Sequence, residues 1–86
     1  MMDYRKRNIR RNILERLAAL EPHALPEPAL QTEAAWLVRP PMTEEEFTAA
    51  VKRMEAEGLI RNQPDDLDPD IPLWFITSAG KTLLRK

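Results

Sequence analysis

The sequence predicts a small α+β domain, mostly helical, in which three helices precede an antiparallel hairpin and a short last helix. Two changes of pattern support this order. Apolar residues recur at helical spacing up to about residue 57, and β-branched and aromatic runs replace them afterwards. With 86 residues the chain has room for one hydrophobic core, so a single domain over residues 1–86 is expected.

Prolines bound the first two predicted helices. Apolar side chains recur at helical spacing over residues 9–20, and Pro22 ends this segment. A second helix is expected over about residues 28–38, because proline suits a first helical turn and two consecutive prolines follow. The face of this helix that is predicted to be buried carries Leu30, Ala34 and Leu37.

The third helix has the clearest start signal in the chain. Thr43 and Glu46 form a capping box, in which each side chain bonds a backbone amide at the helix start. Gly58 stands where a left-handed C-terminal cap is expected, so the helix is predicted over residues 44–57. Its buried stripe consists of Phe47, Ala50, Val51 and Met54.

Two strands are predicted after the third helix. Residues 59–62 and 73–76 are rich in β-branched and aromatic side chains, and the nine-residue loop 64–72 between them includes three prolines and four aspartates. We therefore predict a hairpin with a long acidic loop. Residues 23–25 are an optional third strand at the edge of this sheet. Thr77 or Ser78 can then cap the last helix.

Two segments carry a family resemblance. Met54-Glu55-Ala56-Glu57-Gly58-Leu59-Ile60 resembles the point where the recognition helix of a winged helix-turn-helix domain turns into the wing. Ile76-Thr77-Ser78-Ala79-Gly80-Lys81-Thr82-Leu83-Leu84 is similar to the strand-to-helix ending of small bacterial regulators of the multiple-antibiotic-resistance and phenolic-acid types. The resemblance spans roughly residues 9–86. It implies a winged helix that binds double-stranded DNA, as a small transcriptional regulator or accessory factor.

The resemblance also implies which residues touch DNA, because winged helices commonly place the third helix in the major groove. With the apolar stripe inward, the outer positions are Glu45, Thr48, Ala49, Lys52, Arg53 and Ala56. Of these, the expected groove contacts are Thr48, Lys52 and Arg53. Arg61 at the root of the wing is a further expected DNA contact.

The net charge of −1 conceals an uneven distribution. Residues 1–16 hold six basic and two acidic side chains, a net charge of +4, whereas residues 17–86 sum to −5. A basic amino terminus can bind a phosphate backbone without sequence preference, or simply keep a frayed terminus over residues 1–8 in solution. The candidate phosphate contacts there are Arg5, Lys6, Arg7, Arg10 and Arg11.

The acidic residues support a second hypothesis, a winged helix that binds another protein. Three glutamates at residues 44–46 and four aspartates in the wing repel phosphate, although glutamates at a helix start also have a purely structural role. Trp74 follows a proline-containing loop and is expected on a partly exposed edge strand. Trp74 and Glu45 are therefore the candidate protein contacts, and a homodimer is left open.

No motif indicates an enzyme, a metal or a cofactor. The spacing of Asp66, Asp68 and Asp70 matches the opening of a calcium loop but lacks its glycine and final glutamate. Gly80-Lys81-Thr82 lacks the earlier glycine of a phosphate-binding loop, and His23 is the only histidine. Because no apolar run approaches membrane-spanning length and no signal-peptide core follows the basic start, we expect a cytoplasmic protein without a membrane partner.

Overall fold

A computed structural model describes residues 4–85. Its elements, in chain order, are α1 Tyr4–Leu20, β1 Leu25–Pro26, α2 Glu27–Ala35, α3 Glu44–Ala56, β2 Ile60–Asn62, β3 Leu73–Ile76 and α4 Ser78–Leu84. This is the predicted order, and it is the element order of a winged helix: α2 and α3 form the helix-turn-helix, and β2 and β3 flank the loop of the wing.

One apolar core joins all the longer elements. The stripe of α1 meets the stripe of α3, and the inward side chains of β3 close the core from the sheet side. Because successive strand residues point to opposite faces, Trp74 and Ile76 lie inside while Leu73 and Phe75 are only half-buried. The most deeply buried large side chains are Ile9, Ile13, Leu14, Leu17, Leu30, Phe47, Met54 and Ile60.

The predicted capping box of α3 and the predicted left-handed conformation of Gly58 are both confirmed. The Thr43 hydroxyl accepts a hydrogen bond from the Glu46 amide at 3.1 Å, and the Glu46 carboxylate accepts one from the Thr43 amide at 3.0 Å. Gly58 has a φ of +76°, the left-handed conformation in which a glycine costs least. The helix itself ends at Ala56, one residue before the predicted end.

The optional third strand exists, and it makes β3 the central strand. The sheet order is β1-β3-β2, with both pairs antiparallel. In this register Trp74 stands opposite Leu25 of β1 on one side and opposite Asn62 of β2 on the other. The strand lies at Leu25–Pro26, so it overlaps the alternative predicted over residues 23–25 only at Leu25.

The predicted exposure of Trp74 is wrong. Its side chain is only 4% exposed, and the indole Nε1 donates a hydrogen bond to Glu27 Oε1 at 3.1 Å. The reason is β1, which pairs with the side of β3 that the sequence prediction left at the edge. Trp74 is therefore a core residue whose one polar atom is satisfied by the first residue of α2.

The second helix is shorter than predicted, and this changes which side chain it buries. It ends at Ala35 rather than near Val38, and a turn follows in which the Leu37 amide donates to the Ala34 carbonyl at 3.0 Å. Outside the helix the 3.6-residue period no longer holds. Leu37, predicted to be inside, is 49% exposed, and Val38 is buried in its place.

Arg5 links the start of α1 to the start of α3. It lies within residues 1–8, for which a frayed arm was one of the two predictions. Its Nε and Nη2 donate to the two carboxylate oxygens of Glu46 at 2.6 and 2.9 Å, and Nη2 also donates to the Pro40 carbonyl at 2.9 Å. The chain is helical from Tyr4 onward, so the arm is not found at residues 4–8. Residues 1–3 of the predicted arm lie outside the described residues.

Gly80 marks a close approach between α4 and the start of the wing. A Cβ atom added there would lie 2.4 Å from the Leu59 carbonyl oxygen and 2.8 Å from Ile76 Cγ1. Both distances are far below van der Waals contact. Gly80 is therefore required by packing, which accounts for the glycine of the Gly80-Lys81-Thr82 sequence without a phosphate site.

Replacing Gly80 by alanine should destabilise the fold by about 1–3 kcal/mol, although alanine is the better helix former, because backbone atoms must move to admit the methyl group. Urea unfolding followed by circular dichroism measures the change. Ser78→Ala, an exposed position of the same helix, serves as the control and should stay within about 0.5 kcal/mol of the parent. A Gly80→Ala variant as stable as the parent would contradict the close approach.

The Arg5 ion pair should make stability fall in acid. The Arg5 guanidinium, with help from the Thr43 amide, lowers the pKa of Glu46 from 4.5 to about 2. Stability from this carboxylate is therefore complete above about pH 4.5 and is lost as the pH falls towards 2. Since the pair lies near the surface, we expect Glu46→Gln to cost only about 1 kcal/mol at pH 7 and almost nothing near pH 2.

Urea unfolding of the parent and of Glu46→Gln from pH 7 to pH 2 measures that difference. Glu45→Gln is the matched control, because Glu45 occupies the same helix turn and makes no ion pair within residues 4–85. Its cost should be limited to a few tenths of a kcal/mol from the helix dipole. Identical pH profiles for the two variants would exclude a stabilising role for Arg5 and Glu46.

Candidate nucleic-acid interface

The outer face of α3 is exposed as the helical period predicts. Glu45, Thr48, Ala49, Lys52, Arg53 and Ala56 are all exposed, while the apolar stripe is buried. Lys52 makes no ion pair or hydrogen bond with any residue in the described range 4–85. Its ammonium group is thus available to an external anion.

The predicted groove contacts divide between two sides of α3. Thr48 and Lys52 lie on the side away from α1. Arg53 lies on the side that faces α1, where its Nε approaches Glu57 Oε2 at 3.4 Å. The structure therefore does not bring all three residues to one contact surface.

Arg53 instead belongs to a groove between α1, the end of α3 and α4, which we call the arginine groove. Its volume is about 580 Å³. Four guanidinium groups and Glu57 surround an apolar floor, so the groove combines positive charge with exposed hydrocarbon. The arginines are Arg7, Arg10, Arg11 and Arg53, and the floor consists of Leu14, Leu59, Leu83 and Leu84.

The basic residues of α1 have separate roles. Arg5 donates to Glu46 and to two backbone carbonyls, so its guanidinium has partners within the fold, and its contact with phosphate stays a prediction. Arg11 Nε approaches Glu15 Oε2 at 3.5 Å. Lys6 lines a smaller cleft between α1 and α3 that Arg10 shares with the arginine groove.

The acidic start of α3 carries less free charge than its sequence suggests. Of the three glutamates, Glu46 is paired with Arg5, which lowers its pKa and offsets its charge. Glu44 and Glu45 remain exposed. The repulsion expected between this helix end and a phosphate backbone is correspondingly reduced.

The wing separates a basic root from an acidic loop. At the root, the Arg61 guanidinium stacks 4.6 Å from the centre of the Phe75 ring and donates to Gln63 Oε1. In the loop, Asp65 Oδ1 accepts a hydrogen bond from the Leu67 amide at 2.9 Å. This turn projects Leu67 into solvent, where its side chain is 88% exposed.

The apolar floor of the arginine groove is the feature that sequence reasoning missed. Leu83 and Leu84 were expected on the last helix, but no local signal connects them with arginines on α1. Within residues 4–85, histidine, aspartate and glutamate side chains nowhere gather in threes as a metal ion would need. Over the same range, no helix has the length and apolar character to cross a membrane.

Comparison with known proteins gives matches at the level of structure alone. No protein-family model and no curated protein sequence matches the chain. The transcriptional regulator BldR from Sulfolobus solfataricus is 27% identical, with a TM-score of 0.69 over 90% of this chain and 49% of its own. A MarR-family transcriptional regulator from Silicibacter pomeroyi is 22% identical, with a TM-score of 0.70 over 91% of this chain and 47% of its own.

A third solved structure is also matched over most of this chain and about half of its own. A probable transcriptional regulator from Pseudomonas aeruginosa is 25% identical, with a TM-score of 0.70 over 90% of this chain and 52% of its own. The chain thus spans about half the length of the structures that it matches. Together with the element order and the sheet topology, these likenesses show that the chain has the winged helix-turn-helix fold.

Proposed function

We propose that this chain is the DNA-binding winged helix of a transcriptional regulator, with α3 entering the major groove of duplex DNA. The observation that carries the proposal is the outer face of α3, on which Thr48 and the unpaired Lys52 stand clear of the other elements. A hydroxyl and a flexible ammonium group suit base edges and phosphates respectively. No catalytic step is part of the proposal.

Structural likeness supports the same function. The solved structures that share the fold over about nine-tenths of this chain are those of transcriptional regulators. A cytoplasmic location is part of the proposal.

Charge determines how such a complex would be oriented. The wing in many DNA-binding relatives of this fold touches phosphate or the minor groove, but the acidic loop of this wing would be repelled. Arg61 at the root of the wing is closer to α3 along the chain than the aspartates are, so we assign phosphate contact to the root rather than the loop. On the α1 side, Arg7, Arg10 and Arg53 offer further positive charge.

A protein-binding winged helix is the less favoured alternative. That hypothesis relied on Trp74 as an exposed contact, and Trp74 is buried against Glu27. Glu45 is exposed and remains a predicted contact for a protein partner.

The proposal is tested by titrating the protein into labelled mixed-sequence duplex DNA at about 50 mM and 200 mM salt. Phosphate contacts release counterions, so the affinity should fall as salt rises, with a logarithmic slope of about −0.9 for each contact. Because the wing loop is acidic, we expect only a few such contacts and a shallow slope. Absence of binding at the lower salt concentration would reject the proposal.

Lys52→Gln should weaken DNA binding by about tenfold, equivalent to about 1.4 kcal/mol, and reduce the salt slope by about one. Lys81→Gln is the matched control, because Lys81 on α4 loses the same charge and is paired with Glu21 at 2.7 Å. Fluorescence anisotropy of labelled DNA measures both variants. If Lys52→Gln and Lys81→Gln bind DNA with equal affinity, Lys52 and the outer face of α3 are not part of the interface.

A further inference from the structure

We infer that two copies of this chain associate by placing the acidic wing tip of each copy in the arginine groove of the other. The wing tip comprises residues 65–71. The inference concerns self-association in the absence of DNA, so it stands or falls separately from the proposed function.

The groove offers positive charge around an apolar floor. Arg7 and Arg10 have no ion-pair partner within residues 4–85, and Arg11 and Arg53 each have only a long contact, of 3.5 and 3.4 Å, with a nearby glutamate four residues along the chain. Such exposed pairs contribute little and can be exchanged for another carboxylate. On the floor, Leu83 is 43% exposed, so an apolar side chain entering the groove would bury hydrocarbon.

The wing tip offers the complementary surface. Four aspartates and no basic residue lie in this seven-residue segment, which also holds two exposed apolar side chains, Leu67 and Ile71. The tip has a defined shape: the Leu67 amide donates to Asp65 Oδ1 at 2.9 Å, and the Ile71 amide donates to the Asp68 carbonyl at 3.1 Å. A preformed turn loses little conformational entropy on binding.

The complementary surfaces of one chain do not meet each other. The groove includes Leu59, which directly precedes β2, but none of residues 65–71 lines it. Along the chain β2 separates Leu59 from the tip. We therefore assign the wing tip of a second copy to the groove, and the groove of that copy to the wing tip.

Reciprocal exchange uses both surfaces of both copies and gives a closed, two-fold symmetric dimer. A one-way contact would leave one groove and one wing tip unused and would extend into a chain of molecules. The groove includes Arg53 of the outer face of α3 but not Thr48 or Lys52, so these two residues stay outside the contact.

Sedimentation equilibrium of the full chain, without DNA, tests the inference. The contact is small and charged, so we expect a dimer with a dissociation constant between about 1 μM and 1 mM that weakens on raising salt from about 50 to 500 mM. A monomer at about 1 mM protein in low salt would overturn the inference.

Two charge reversals test the surfaces. Arg10→Glu puts a negative charge in the groove, and Asp66→Lys puts a positive charge on the wing tip while leaving the Asp65 turn intact. Each variant alone carries its reversed charge at both contacts of its dimer, which weakens the attraction between groove and wing tip at both places, so each should raise the dissociation constant by about tenfold or more. Both positions are outside the core, and circular dichroism checks that both variants fold.

Mixing the two variants distinguishes this contact from any other. In the mixed dimer the unaltered acidic tip of Arg10→Glu meets the unaltered basic groove of Asp66→Lys, so one contact regains its full attraction. In the other contact the lysine introduced on the tip meets the glutamate introduced in the groove, and these two charges attract each other. The mixture should therefore associate about tenfold more tightly than either variant alone. Failure of the mixture to recover association would overturn the inference.

Arg39→Glu is the control for a general effect of charge. Arg39 is exposed on the connection between α2 and α3, and it does not line the groove. Its reversal should leave the dissociation constant within about twofold of the parent. If Arg39→Glu weakens association as much as Arg10→Glu, the contact is not the one inferred.

Discussion

The packing of α1 against α3 is the constraint on which the rest of the molecule depends. The apolar stripes of the two helices form most of the core, and the Arg5–Glu46 ion pair links their amino-terminal ends. This arrangement fixes the rotation of α3 about its axis. It thereby decides that Lys52 faces outward, and that Arg53 turns towards the arginines of α1. The same contact therefore sets both the candidate DNA face and the arginine groove.

How much the sequence predicts depends on how far apart the interacting residues are. Thr43 and Glu46 of the capping box are three positions apart, so local pattern is sufficient to place the start of α3. The ion pair of Arg5 and Glu46 spans 41 positions, and it depends on how two helices are rotated. For the same reason the burial of Trp74 was missed, since it follows from a two-residue strand that carries almost no periodicity.

The fold places the positive and the negative charges of the sequence on different surfaces. The positive charge of α1 is partly used within the structure, by Arg5 and by Arg16, which pairs with Glu33. What remains gathers around one groove, whereas the wing concentrates negative charge in one loop. A chain with almost no net charge therefore carries a positive and a negative surface at different places in the fold, and the two proposed contacts, with DNA and with another copy, rest on this separation.

The two tryptophans occupy opposite environments, and this gives the protein two built-in optical reporters. Trp74 is 4% exposed with its indole nitrogen bonded to Glu27, whereas Trp36, just after α2, is 64% exposed. Iodide in solution can collide with the second indole and not with the first. Emission that survives the quencher thus comes from the core, and emission that is lost comes from the turn between α2 and α3, which adjoins the start of the recognition helix. The natural sequence, without added dye, can report on its interior and on its helix-turn-helix surface in a single spectrum.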